Sequence, residues 1–118
     1  MKSVVLALLM VAMGAWTGAA RADHFTGACA FELNDVEAAI RGATFTGQNA
    51  TTDQSNLLAK LEAANAKVAE GKFSDAVDKL DEISDKATAL AGAAKPKLAD
   101  ATAINTSVAG AIACVGRL

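Results

Sequence analysis

Tyrosine is absent from the 118 residues, and proline, tryptophan and histidine occur once each. So little proline, with nine glycines, excludes collagen-like and Pro/Gly-rich disordered chains. The single histidine, His24, leaves no Glu-x-x-His pair for a di-iron centre and no Cys-x-x-Cys-His for covalent haem. It also leaves no convincing base beside a serine, threonine or cysteine nucleophile. Two cysteines are too few for a multi-cysteine scaffold. No basic patch with interleaved aromatics is present, so no nucleic-acid partner is expected. The sequence thus speaks of a compartment and a fold before it speaks of an activity.

The chain is made of two kinds of material. Residues 1–22 hold all three methionines, the tryptophan and only two charges, Lys2 and Arg21. Lys2 supplies a positive start, the stretch from Val4 to Trp16 an apolar segment, and Ala20-Arg21-Ala22 the small residues read by a signal peptidase. The expectation is a cleaved secretory signal over 1–22 and one domain over 23–118, periplasmic or secreted. The apolar run is shorter than the roughly 20 residues a bilayer core demands, and no later stretch is long enough to span one. A competing reading lipidates Cys29, which follows Gly27-Ala28; Thr26 and the charged Arg21, Asp23 and His24 fit that pattern poorly.

Beyond Ala22 the chain carries nine basic and 13 acidic residues, and alanine supplies 23 of its residues. Apolar residues recur at helical spacing in four segments. Cys29, Leu33, Val36 and Ile40 define a first helix over about 26–42. Residues 45–51 read as a loop. Leu57, Leu61, Ala64 and Val68 define a second helix, N-capped near Thr52 or Asp53 and closed by Gly71. A short turn leads to a third, antiparallel helix capped by Ser74, with Ala76, Val77, Leu80, Ile83, Ala87 and Leu90 as its stripe. Pro96 fits the first turn of a fourth helix, with Ala101, Ile104, Val108, Ile112 and Val115 facing inward. No segment alternates like a strand. The expected fold is all-α, a small antiparallel four-helix bundle.

In an up-down-up-down bundle the start of the first helix and the end of the last lie at one end. Cys29 and Cys114 occupy those positions, so the expected bridge is Cys29–Cys114. Outside the cytoplasm such a pairing is also the chemically favoured one.

Candidate chemistry is sparse. Asp75, Asp78, Asp81, Glu82 and Asp85 gather on the third helix, with Lys79 and Lys86 placed for i,i+4 pairs with Asp75 and Glu82. They read as a solvated face, and no EF-hand loop is present to favour calcium. No catalytic residue, metal ligand or cofactor is expected. His24 reads as a solvated residue near the new terminus. Asn49-Ala-Thr51 and Asn105-Thr-Ser107 match the glycosylation acceptor pattern. Phe45 and Phe73, in or beside loops, are the candidate partner contacts.

The stretch Asn56-Leu-Leu-Ala-Lys-Leu61, followed by Ala64, Val68, Gly71, Ala76, Leu80, Ile83, Leu90, Lys97-Leu98, Ala101 and Ile104, resembles the FIMAH domain. The likeness covers about 56–115 and implies a non-catalytic, extracytoplasmic helical unit. This chain differs by an added first helix and a cysteine at each end. Glu70-Gly-Lys-Phe-Ser-Asp-Ala76 is similar to the inter-helix turn of a tetratricopeptide repeat, but it occurs once and no 34-residue period follows. The resulting expectation is an exported, non-enzymatic module that binds a protein or cell-envelope partner. The alternatives are an inhibitor of an extracellular enzyme and a hydrolase using Asp78 and Glu82.

Overall fold

The computed structural model describes residues 24–118, so the proposed leader over 1–22 lies outside the described residues. Four helices follow one another, α1 (Ala30–Gly42), α2 (Ala50–Ala69), α3 (Phe73–Gly92) and α4 (Thr102–Val115). Each packs on two others, α1 on α2 and α4, and α3 on α2 and α4, which closes a four-membered ring. The inward stripes are those that the helical spacing marks, except that Val77 and Ile112 are only half-buried at the edge of the core and Ala111 takes a fully buried place on α4. Leu33, Val36 and Ile40 of α1, Leu57, Leu61 and Ala64 of α2, Leu80 and Ile83 of α3, and Ile104 and Val108 of α4 are almost wholly buried.

The bundle is fastened at both ends. At one end the Cys29–Cys114 disulfide joins the N-cap of α1 to the last turn of α4, with 5.9 Å between the Cα atoms. That sulfur bond occupies the atom that lipidation of Cys29 would need. At the other end the two long connections pair through an isolated antiparallel bridge between Phe45 and Leu98. The Thr46 amide donates to the Lys97 carbonyl at 3.0 Å, and the Ala99 amide to the Thr44 carbonyl at 3.0 Å. Leu98 is fully buried beneath this clasp.

The connections explain where the helix ends differ from expectation. Residues 26–29 are not helical. Gly27 (φ 105°) and Cys29 (φ 58°) both adopt positive φ, which folds the preceding segment back along α1. Helix α2 starts at Ala50 behind Asn49, and α3 at Phe73 behind Lys72, so neither Thr52, Asp53 nor Ser74 is an N-cap. The turn after α2 leaves no room for a later start. Gly71 (φ 78°) sits in the left-handed conformation, the Lys72 amide reaches the Lys67 carbonyl at 2.8 Å and the Gly71 amide reaches Val68 at 3.0 Å. This is a Schellman closure that feeds straight into α3. Pro96 is not in the first turn of α4, which begins at Thr102. The segment around Pro96 is used instead for the clasp, with the Lys97 amide on the Leu90 carbonyl at 2.9 Å and the Thr46 hydroxyl donating to the Pro96 carbonyl at 2.9 Å.

Candidate functional site

The end of the bundle that carries the disulfide gathers the most unusual side chains. Cys29 is held in left-handed backbone as the N-cap of α1, a conformation costing roughly 1–2 kcal/mol for a non-glycine residue. Glu32 follows three residues later, on the same side of the helix. One of its carboxylate oxygens and the two sulfurs of Cys29 and Cys114 all lie within 4.8 Å of one another. Cys29 is buried, and Glu32 and Cys114 are half-buried. Glu32 was not singled out from the sequence, although the Cys29-x-x-Glu32 spacing places the two on one face.

Phe31, beside this group, points the other way and is 73% exposed. It falls two residues before Leu33, about 200° around the helix, and so lies outside the inward stripe. The residues expected as contacts behave differently. Phe45 and Phe73 are both half-buried and packed against the core, and they belong to opposite ends of the bundle, Phe45 in the clasp and Phe73 after the α2–α3 turn. They are not brought together. Phe25 is buried, leaving Phe31 as the one exposed aromatic residue among those described.

His24 is not a free solvated residue. Its Nδ1 lies 2.7 Å from Oε1 of Glu37 on α1, and its Nε2 lies 2.8 Å from Oε2 of Glu62 on α2. Arg41 closes on the far oxygen of Glu37 at 2.9 Å. The imidazole stacks on the Phe25 ring, 4.3 Å between centroids, and fixes the N-terminal segment across two helices.

The acidic face of α3 divides. Asp75, Asp78, Asp81 and Asp85 are exposed. Glu82 is half-buried and turns to α2, where its Oε1 accepts a hydrogen bond from Lys60 at 3.1 Å, with Lys79 3.9 Å from its other oxygen. These contacts replace the expected i,i+4 pairs of Lys79 with Asp75 and Lys86 with Glu82. The Lys60 hydrogen bond, then the charge of Lys79, hold the Glu82 carboxyl below its ordinary range. A general acid working near neutral pH needs the opposite shift. Asp100, ahead of α4, is also lowered, because its carboxylate accepts the Thr102 amide at 2.9 Å.

Other polar residues serve the fold. The Asn105 side chain accepts from the Ser84 hydroxyl at 2.7 Å and donates to Thr88 at 3.1 Å, which ties α4 to α3. Asp53, in the first turn of α2, is buried with its Oδ2 unpartnered, where the positive end of the helix dipole favours its charge. Among the described residues no helix is long and apolar enough to cross a membrane. No family model, no curated protein and no solved structure matches the chain.

Proposed function

We propose that this protein is an exported, non-catalytic helical module that works by binding a protein or cell-envelope partner through the outer face of α1. The observation that carries the reading is Phe31, a large apolar side chain 73% exposed on a helix anchored by the disulfide at its base. A contact residue on such a helix loses little conformational freedom on binding, which favours affinity. Aromatic anchors with rigid surroundings are the usual centres of binding energy. Export is supported by the signal-like composition of residues 1–22 and by the disulfide, a bond that persists in oxidising compartments. The resemblance of residues 56–115 to FIMAH-type units points to the same class of role.

The test replaces Phe31→p-benzoylphenylalanine in the exported protein and crosslinks it in intact cells, with the same probe at Asp85, an exposed position on α3 across the bundle from α1, as the control. A discrete adduct from position 31 that is competed by unlabelled wild-type protein, and not by Phe31→Asp protein of unchanged helicity, supports the reading. Equal competition by both proteins overturns it, as does the absence of any adduct specific to position 31.

A further inference from the structure

We infer that Cys29, Cys114 and Glu32 form a redox-gated zinc site, in which a metal ion takes the place of the sulfur–sulfur bond when the bridge is reduced. The inference is independent of the partner-binding reading, since Phe31 takes no part in it.

The two sulfurs that reduction would turn into thiol donors lie close to a carboxylate oxygen. Two sulfurs and a carboxylate oxygen lie within 4.8 Å of one another, contributed by the N-cap and first turn of α1 and the last turn of α4. Zinc takes thiolate sulfur at about 2.3 Å and carboxylate oxygen at about 2.0–2.2 Å in a tetrahedron. In that geometry two sulfurs stand about 3.8 Å apart and a sulfur and an oxygen about 3.5 Å apart. The 5.9 Å between the cysteine Cα atoms accommodates both the bonded and the metal-bridged arrangement by side-chain rotation.

Packing other than the bond also holds the two cysteine-bearing helices side by side. Leu33 and Val36 of α1 and Val108, Ala111 and Val115 of α4 are buried in the shared core, α1 packs directly on α4, and the Phe45–Leu98 clasp fastens the opposite end. These contacts favour keeping the two thiols and the carboxylate near one another on reduction, and a bound zinc ion would restore part of the cross-link that reduction removes. Glu32 and Cys114 are half-buried, and in the proposed site the fourth coordination position goes to a water molecule reaching the ion from that side.

The chemistry balances. A dithiol of the thiol–disulfide oxidoreductase class gives two electrons and two protons to the bridge, yielding the two thiols of Cys29 and Cys114 and the oxidised partner disulfide. Zinc then displaces one proton from each thiol and binds two thiolates and the Glu32 carboxylate. Reoxidation of the thiolates by a disulfide acceptor releases the ion and restores the bridge. In either redox state the two ends of the bundle are held.

The experiment uses phosphine-reduced protein over residues 23–118, titrated with cobalt(II) as a spectroscopic probe and then with zinc. The expected result is one equivalent of cobalt bound, with a thiolate-to-cobalt charge-transfer band that zinc abolishes, and no band in the oxidised protein. Glu32→Gln should weaken binding by at least about tenfold, and Cys114→Ser should remove the band. If the reduced, metal-free protein loses helicity, zinc should restore it. The proposal is overturned if reduced protein gives no band and gains no helicity with zinc, if Cys114→Ser retains the band, or if Glu32→Gln titrates like the wild type.

Discussion

Asn34 holds Phe25 by both faces of one peptide segment, its Oδ1 accepting the Phe25 amide at 3.0 Å and its Nδ2 donating to the Phe25 carbonyl at 3.1 Å. Both residues are buried. The contact fastens the N-terminal segment to α1 and seats the Phe25 ring in the core. Asn34→Ala would strand a buried amide and a buried carbonyl, each worth about 1–3 kcal/mol when left unsatisfied. The expected outcome is a loss of about 2 kcal/mol or more in urea unfolding, with the Phe25 amide exchanging its hydrogen faster than the amides of α3.

The bridge between Cys29 and Cys114 spans 85 residues. In the chain-entropy account a loop of that size stabilises by roughly 4–5 kcal/mol. Alanine supplies 23 of the residues after Ala22, so the core is built from small volumes and the bridge is a large share of the 5–15 kcal/mol typical of a domain. The double variant Cys29→Ser, Cys114→Ser in metal-free buffer should lose about that amount in denaturant unfolding. An unchanged transition midpoint would show that the bridge contributes nothing.

Two glycines should respond in opposite directions. Gly71 has φ 78° and open space where a Cβ would stand, so Gly71→Ala meets only the backbone cost. That cost is roughly 1–2 kcal/mol. Gly110 lies exposed inside α4 with nothing near its missing Cβ, and Gly110→Ala should stabilise by about 1 kcal/mol. Thermal melts of the two variants check the pair.

Acid should weaken the fold through two carboxylates. Glu82 and Asp100 are held below their ordinary values of 4.5 and 3.8 in the folded state, so their contributions are full above those values. As pH falls, the unfolded chain takes up protons first and the contribution shrinks, vanishing once the folded carboxyl is protonated. Glu82→Gln and Asp100→Asn should therefore be less stable than wild type at pH 7, and the difference should disappear once acid has protonated the folded carboxyls as well. Salt should erode the Glu82 effect more, because lysine charges cause it, whereas a backbone amide holds Asp100. Denaturant titrations at two pH values and two salt concentrations separate these outcomes.

The sequence was most legible where one helix face repeats without interruption. Leu57, Leu61, Ala64 and Val68, and Ala76, Leu80, Ile83, Ala87 and Leu90, are the buried apolar residues of α2 and α3, with Val77 left half-buried beside them. It was least legible where distant segments compete for the backbone. Pro96 suits the start of a helix locally, but the 44–46 and 97–99 segments gain more by pairing with each other, and α4 waits until Asp100 can accept the Thr102 amide. Likewise Thr26 to Cys29 continue the apolar spacing of α1, yet two positive-φ residues turn the chain back so that Phe25 reaches Asn34. The proximity of Glu32 to both sulfurs needed α1 and α4 placed side by side. Phe31, by contrast, was readable as an outward residue from its offset to Leu33.

The cysteine bridge also makes the stretch from residue 29 to residue 114 a covalent ring. A protease that cuts once within this ring, in the exposed turn at Gly71 or the connection around Lys95, opens the ring and liberates no fragment. The nicked molecule keeps its mass in non-reducing conditions and falls into two pieces only when a reductant is added. Loss of any part of the ring therefore takes two independent cuts, or one cut together with a reductant.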